Sequence, residues 1–138
     1  MNHTPPSAVL FWSKIIRDAM SDHQAAGGNA ILNLLHQGKS AVSLTMAEIH
    51  AMQTSELAAT LTEEGIRRFE LSLKERIDTQ FAKWPEHPVC VSVDYHPDEI
   101  LSHALQAGGM TDSRWDYFFP FKTTVRIQPD WSFEVMRI

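Results

Sequence analysis

An α+β fold, with several helices first and then a small, mostly antiparallel sheet in β-α-β-β order, follows from three features of the chain. Apolar residues recur every three or four positions from Ile66 to Trp84, the period switches to two at Val89, and two more alternating segments flank a Pro129-Asp130 turn pair. Helices and strands that occupy separate parts of the chain predict α+β rather than a doubly wound sheet. At 138 residues, 43% hydrophobic and 21% charged, the chain has enough apolar surface for one core without disulfide or metal staples. The expected organisation is one α+β domain over 1–138, with a helical part at about 7–84 and a sheet-containing part at about 88–138.

The first helix follows the Pro5-Pro6 pair, with Ser7 read as its cap. Ala8, Leu10, Phe11, Trp12, Ile15, Ile16, Ala19 and Met20 then form an amphipathic pattern to about Asp22. Gly27-Gly28 interrupts it. In "NAILNLLHQGKS", Asn29 caps a short apolar helix that Gly38 stops, and "AVSLT" reads as a brief extended piece. Thr45 with Glu48 fits a capping box for a helix through about Ala59, and Thr60 with Glu63 fits another.

The long helix comes next. Ile66, Phe69, Leu73, Ile77, Phe81 and Trp84 lie on one stripe, with Arg67, Glu70, Lys74, Glu75 and Asp78 on the other faces. Glu64 with Arg68 and Glu70 with Lys74 are spaced four apart in the favourable order, worth about 0.2–0.5 kcal/mol each. Pro85 ends the helix. In "PVCVSVD", Val89, Val91 and Val93 share one face and Cys90, Ser92 and Asp94 the other. Pro97 is expected to open a helix that runs to about Ala107 and stops at Gly108-Gly109.

The register of the last hairpin follows from its two faces. If Phe121, Thr123, Val125 and Ile127 face the core with Phe133 and Val135, then Ile127 opposes Phe133, Val125 opposes Val135, and Arg126 meets Glu134 outside. That pairing needs a three-residue loop, Pro129 to Trp131.

Charge and cysteine content restrict function. A net charge of -5 disfavours nonspecific binding to nucleic acid or an anionic membrane, both of which select positive charge. The single cysteine, Cys90, excludes an internal disulfide and a cysteine-based zinc site, which fits a reducing cytoplasm. The first twenty residues carry no basic leader, and Lys14, Arg17 and Asp18 interrupt their apolar run, so a soluble, cytoplasmic protein without a membrane segment is expected. No phosphate-binding glycine loop is present, since "AAGGNA" lacks the pattern and Gly108-Gly109 follows a helix rather than opening one.

The stretch "VSVDYHPDEILSH", residues 91–103, has the densest polar chemistry. Glu99 and His103 are one helical turn apart and His96 precedes them by three, so with Asp94 they could present imidazoles and carboxylates to a divalent ion that activates water. A well-built helix start accounts for the same residues: Pro97 suits a first turn, and Asp98 and Glu99 complement the helix dipole. That simpler account is preferred, and no catalytic, cofactor or metal residue is assigned. His36, His50 and His87 are scattered, and a strand-borne Cys90 lacks an evident activating base.

The segment "GGMTDSRWDYFFPF", residues 108–121, concentrates aromatic side chains beside Arg114. Six large apolar residues cannot all point inward from one connection, so two or three are expected to be partly exposed. The segment reads first as a lid that completes the core, and second as a contact surface using Arg114, Trp115, Tyr117 and Phe118. The function expected is therefore binding of another protein, as an inhibitor, adaptor, immunity or accessory factor, with a second copy of the chain also a candidate partner. The alternatives are a metal-assisted hydrolase centred on His96, Glu99 and His103, and a nucleic-acid-binding protein using the basic residues of the long helix.

Overall fold

The computed structural model describes residues 4–25 and 56–137; the Asn29 and Thr45 helix starts and the extended piece at 41–45 lie outside them. Among the described residues the elements follow one another as α1 (Ser7–Ala25), α2 (Glu63–Lys83), β1 (Val89–Val93), α3 (Glu99–Ala107), β2 (Thr123–Ile127) and β3 (Phe133–Arg137), with a short 3₁₀ turn at Ser113–Tyr117. The architecture is α+β in the expected order. The sheet is antiparallel throughout, in the order β1-β2-β3.

Helix α1 buries Ala8, Val9, Trp12 and Ile16 on one face. Ser7 is its first residue and not its cap: the Pro6 carbonyl accepts from the Val9 and Leu10 amides, so the backbone closes the first turn. Helix α2 buries Ile66, Phe69, Leu73 and Ile77 as the stripe requires. Its cap is Thr62 rather than Thr60, with the Thr62 hydroxyl accepting from the Gly65 amide at 3.0 Å. Thr60 instead closes the preceding turn by donating to the Leu57 carbonyl. Trp84, read as part of the buried stripe, is the C-cap residue and is 47% exposed, because the helix ends before the last turn that would have turned it inward.

The other departure on α2 is Glu70, placed by pattern on a solvent face and found 5% exposed. Its carboxylate accepts from the Ser13 hydroxyl at 2.6 Å and from Arg17 Nη2 at 3.0 Å, and Arg17 Nη1 also reaches Glu63 at 2.8 Å. A buried charge survives only when paired and hydrogen-bonded, and α1 supplies both partners. Lys74, the expected partner of Glu70, bonds Asp78 instead.

Strand β1 alternates as read, with Val89, Val91 and Val93 buried. The hairpin has the expected register, with Val125 opposite Val135, Arg126 opposite Glu134 and Ile127 opposite Phe133. The Gln128 amide donates to the Ser132 carbonyl, leaving Pro129 to Trp131 as the loop, and Trp131 takes a positive φ of 69° while its ring packs edge-on against Phe81. Phe121 does not join the core face. Lys122 has φ 56°, which breaks the alternation just before β2 and leaves Phe121 outside. Val135, on the core face by register, is 39% exposed because β3 is an edge strand with little beneath it.

Helix α3 packs on α2 at a point where Gly65 and Gly108 leave no room for a side chain. A β-carbon on Gly65 would lie 2.6 Å from the Gly108 carbonyl oxygen, and one on Gly108 would lie 2.7 Å from the Gly65 carbonyl oxygen. Gly109, at φ 81°, supplies the left-handed residue that stops α3.

Candidate protein-binding surface

The turn from β1 into α3 is held by one carboxylate. Asp98, and not Pro97, caps α3: its Oδ1 accepts from the Leu101 amide at 2.9 Å and its Oδ2 from the Ser92 amide at 2.8 Å, while its own amide donates to the Ser92 carbonyl. Pro97 lies one residue earlier, bridged to Val93. Burial pushes the Asp98 carboxyl above its ordinary range, against the pull of the amides that bond it. The cap thus ties helix to sheet and sends Asp94, Tyr95 and His96 around the outside.

The aromatic segment is sorted by its own short helix. Asp112 caps the 3₁₀ turn by accepting from the Arg114 amide, and its carboxylate also takes the Arg114 side chain at 2.9 Å and 3.1 Å. Those hydrogen bonds hold the exposed Asp112 carboxyl down at about 2. Arg114 reaches on to Glu56 at 2.6 Å, so its guanidinium is committed to two carboxylates of its own chain. Trp115 is 1% exposed and packs at a tilt against Phe118 with 4.6 Å between ring centres, and Phe119 meets the ring of Trp12 at 5.5 Å. Of the four residues the sequence proposes for contact, Trp115 therefore belongs to the core, Phe118 is half-buried, Arg114 is internally paired and Tyr117 is exposed at the surface.

The two segments meet. Just past the last pair of β1 with β2, the Lys122 amide donates to the Asp94 carbonyl at 3.2 Å. His96 packs against the ring of Tyr117 at 5.5 Å, and the Lys122 ammonium lies 5.3 Å from the centre of the Tyr95 ring. Tyr95 and Tyr117, at 61% and 54% exposed, thus each touch a basic side chain, and Phe121, the chain neighbour of Lys122, is 52% exposed. Pattern reading did not single out Tyr95 as exposed and placed Phe121 on the core face, because the paired register ends at Val93 and Thr123 and the chain turns on both sides beyond it.

The junction residues sit differently from a metal centre. Glu99 and His103 share a helical face with 3.7 Å between carboxylate and imidazole, whereas His96 is turned to Tyr117 and the Asp94 backbone to Lys122. Among the described residues no group of three His, Cys, Asp or Glu side chains is placed to hold a metal ion. A groove of about 350 Å³ on the opposite side of the turn is lined in part by Trp84, His87, Cys90 and Asp98, but both Asp98 oxygens are already bonded. On α2, Arg67, Arg68 and Lys74 each face an acid four residues away, which leaves the helix a solvated, charge-balanced face. No helix among the described residues is long and apolar enough to cross a membrane. Compared with protein-family models, with characterised proteins and with solved structures, the chain has no significant match.

Proposed function

We propose that the protein acts by binding another protein, and that Tyr95, Tyr117 and Phe121, with His96 and Lys122 among them, form the contact. The observation that carries this reading is that three large aromatic rings of the two segments are more than half exposed while Trp115 and Phe119 are buried, with Tyr117 against His96 and Tyr95 beside Lys122. Aromatic side chains bury much area for few rotamers and keep a polar edge, which is why they dominate the centres of interfaces. A net charge of -5 favours a basic partner through long-range steering. Roles of this kind include inhibitor, adaptor, immunity factor or assembly accessory.

The test is capture from host lysate with wild type and with Tyr95→Ala/Tyr117→Ala, each first checked for an unchanged denaturation midpoint. A partner held by wild type and lost by the double variant is the expected result, and equal retention by both would overturn the assignment of this surface. Trp115→Ala does not serve as the probe, because truncating so buried a ring costs about 3–5 kcal/mol and unfolding alone would abolish binding.

A further inference from the structure

The two edges of the sheet are treated differently by the chain. Bonds across an antiparallel pair alternate, and the Gln128–Ser132 bond fixes the phase: Ser132, Glu134 and Met136 turn their backbone groups towards β2, and Phe133, Val135 and Arg137 turn theirs outward. The same phase turns the backbone of Cys90 and Ser92 outward on β1. There Asp98 closes the edge at Ser92, taking its amide on the side chain and giving its own amide to the Ser92 carbonyl. Along β3, among the described residues, nothing bonds the outward groups of Phe133, Val135 and Arg137. The strand has no proline or bulge, and its one inward-side charge is Arg137 at the far end, so the usual protections of an open edge are nearly absent.

We infer that β3 pairs with β3 of a second copy of this chain, antiparallel about a two-fold axis through Val135, so that one continuous sheet runs through both copies. A two-fold pairing must keep opposed residues on one face, which restricts the axis to pass through a residue. An axis at Glu134 sets two carboxylates against each other, and one at Met136 leaves Phe133 without an opposite residue within the strand. The axis at Val135 uses all five residues, opposes Phe133 to Arg137 and Glu134 to Met136, and brings no like charges together. It also places the two half-covered Val135 side chains against each other, extending the core face past the edge where each copy leaves it open. Glu134 keeps its ion pair with Arg126 on the outer face. The pairing uses the backbone edge of β3, whereas the proposed partner contact uses the side chains of Tyr95, Tyr117 and Phe121 outside that strand, so the two are tested by different substitutions.

Sedimentation equilibrium of the purified chain measures the assembly directly. The expected mass is twice 15.7 kDa at high concentration, dissociating on dilution. Val135→Lys, which sets two ammonium groups at the axis, is expected to weaken self-association at least tenfold while keeping the wild-type circular dichroism. Val135→Cys in a Cys90→Ser background is expected to form a covalent dimer with a short bis-maleimide cross-linker, since the opposed residues form a hydrogen-bonded pair with β-carbons about 5.5 Å apart, within reach of the linker. A monomeric mass at all concentrations overturns the inference. So does a dimer that neither Val135→Lys weakens nor Val135→Cys traps, since that dimer would use another surface.

Discussion

Replacing Gly65 with alanine puts two opposing effects in direct competition. Gly65 lies in the first turn of α2, where alanine is favoured over glycine by at most about 1 kcal/mol. The added methyl would sit 2.6 Å from the Gly108 carbonyl oxygen, about 0.8 Å inside the 3.4 Å at which ordinary contact begins. That oxygen is backbone at the end of α3, so relief requires α2 and α3 to move apart, and the loss spreads to Phe69, Leu101 and Leu105 around the crossing. Overpacking of this kind costs about 1–3 kcal/mol, and with the lost contacts around the crossing added we expect a net destabilisation of about 1–2 kcal/mol. Urea denaturation followed by circular dichroism measures it. Gly108→Ala should cost at least as much, because its methyl meets the Gly65 carbonyl and Phe69 as well. The double variant should cost clearly less than the two singles together, since helices already pushed apart by one methyl make room for the other. A neutral or stabilising Gly65→Ala would refute the close crossing, and strict additivity would refute a shared one.

Two further outcomes are expected. Ser13→Ala should destabilise by about 1–3 kcal/mol, because the buried Glu70 Oε2 then loses its donor; a denaturation midpoint equal to that of an exposed serine variant such as Ser21→Ala would contradict the buried cluster. Asp98 has its pKa raised by burial above the ordinary 3.8, so its ionised form is costlier in the folded state than in the unfolded one. The stability it contributes is full below 3.8 and is lost as the pH rises through the raised value. The stability difference between wild type and Asp98→Asn should accordingly narrow from acid towards neutral pH, and a difference that widens would mean that the amides bonding Asp98 outweigh its burial.

Local pattern was enough for the hairpin. Alternation fixed which residues of "FKTTVRI" and "WSFEVMRI" share a face, and opposed residues must share one, so the register followed without any knowledge of the rest of the chain. The same reasoning failed at Phe121 because the alternation ends at Lys122, whose positive φ is a backbone property that a lysine does not announce. Glu70 was misplaced for a different reason. Periodicity reports the centre of the apolar stripe, but α2 is packed from two directions, and the flank facing α1 is polar at Ser13, Arg17 and Glu70. Ser13 and Arg17 stand one turn apart on α1, each directly after a buried residue, Trp12 and Ile16, which is the one signal of a polar seam that the sequence carries.

The candidate surface shows why a site can be absent from every local reading and still be set by simple rules. The β1–α3 junction, read alone, looks like chemistry or a helix cap, and the aromatic segment, read alone, looks like a lid or an interface. The antiparallel pairing of β1 with β2 joins them, because Val93 opposite Thr123 makes Asp94 and Lys122 neighbours and brings Tyr95 and Phe121 to the same end of the sheet. Core packing then decides what is left over. Phe119 packs against Trp12 and Trp115 against Phe118, Arg114 is spent on Asp112 and Glu56, and Tyr117 and Phe121 remain outside. A residue chosen for contact by type alone, such as Trp115, is thus the one whose loss would most disturb the fold, while Tyr95 and Tyr117 can be removed with the core intact.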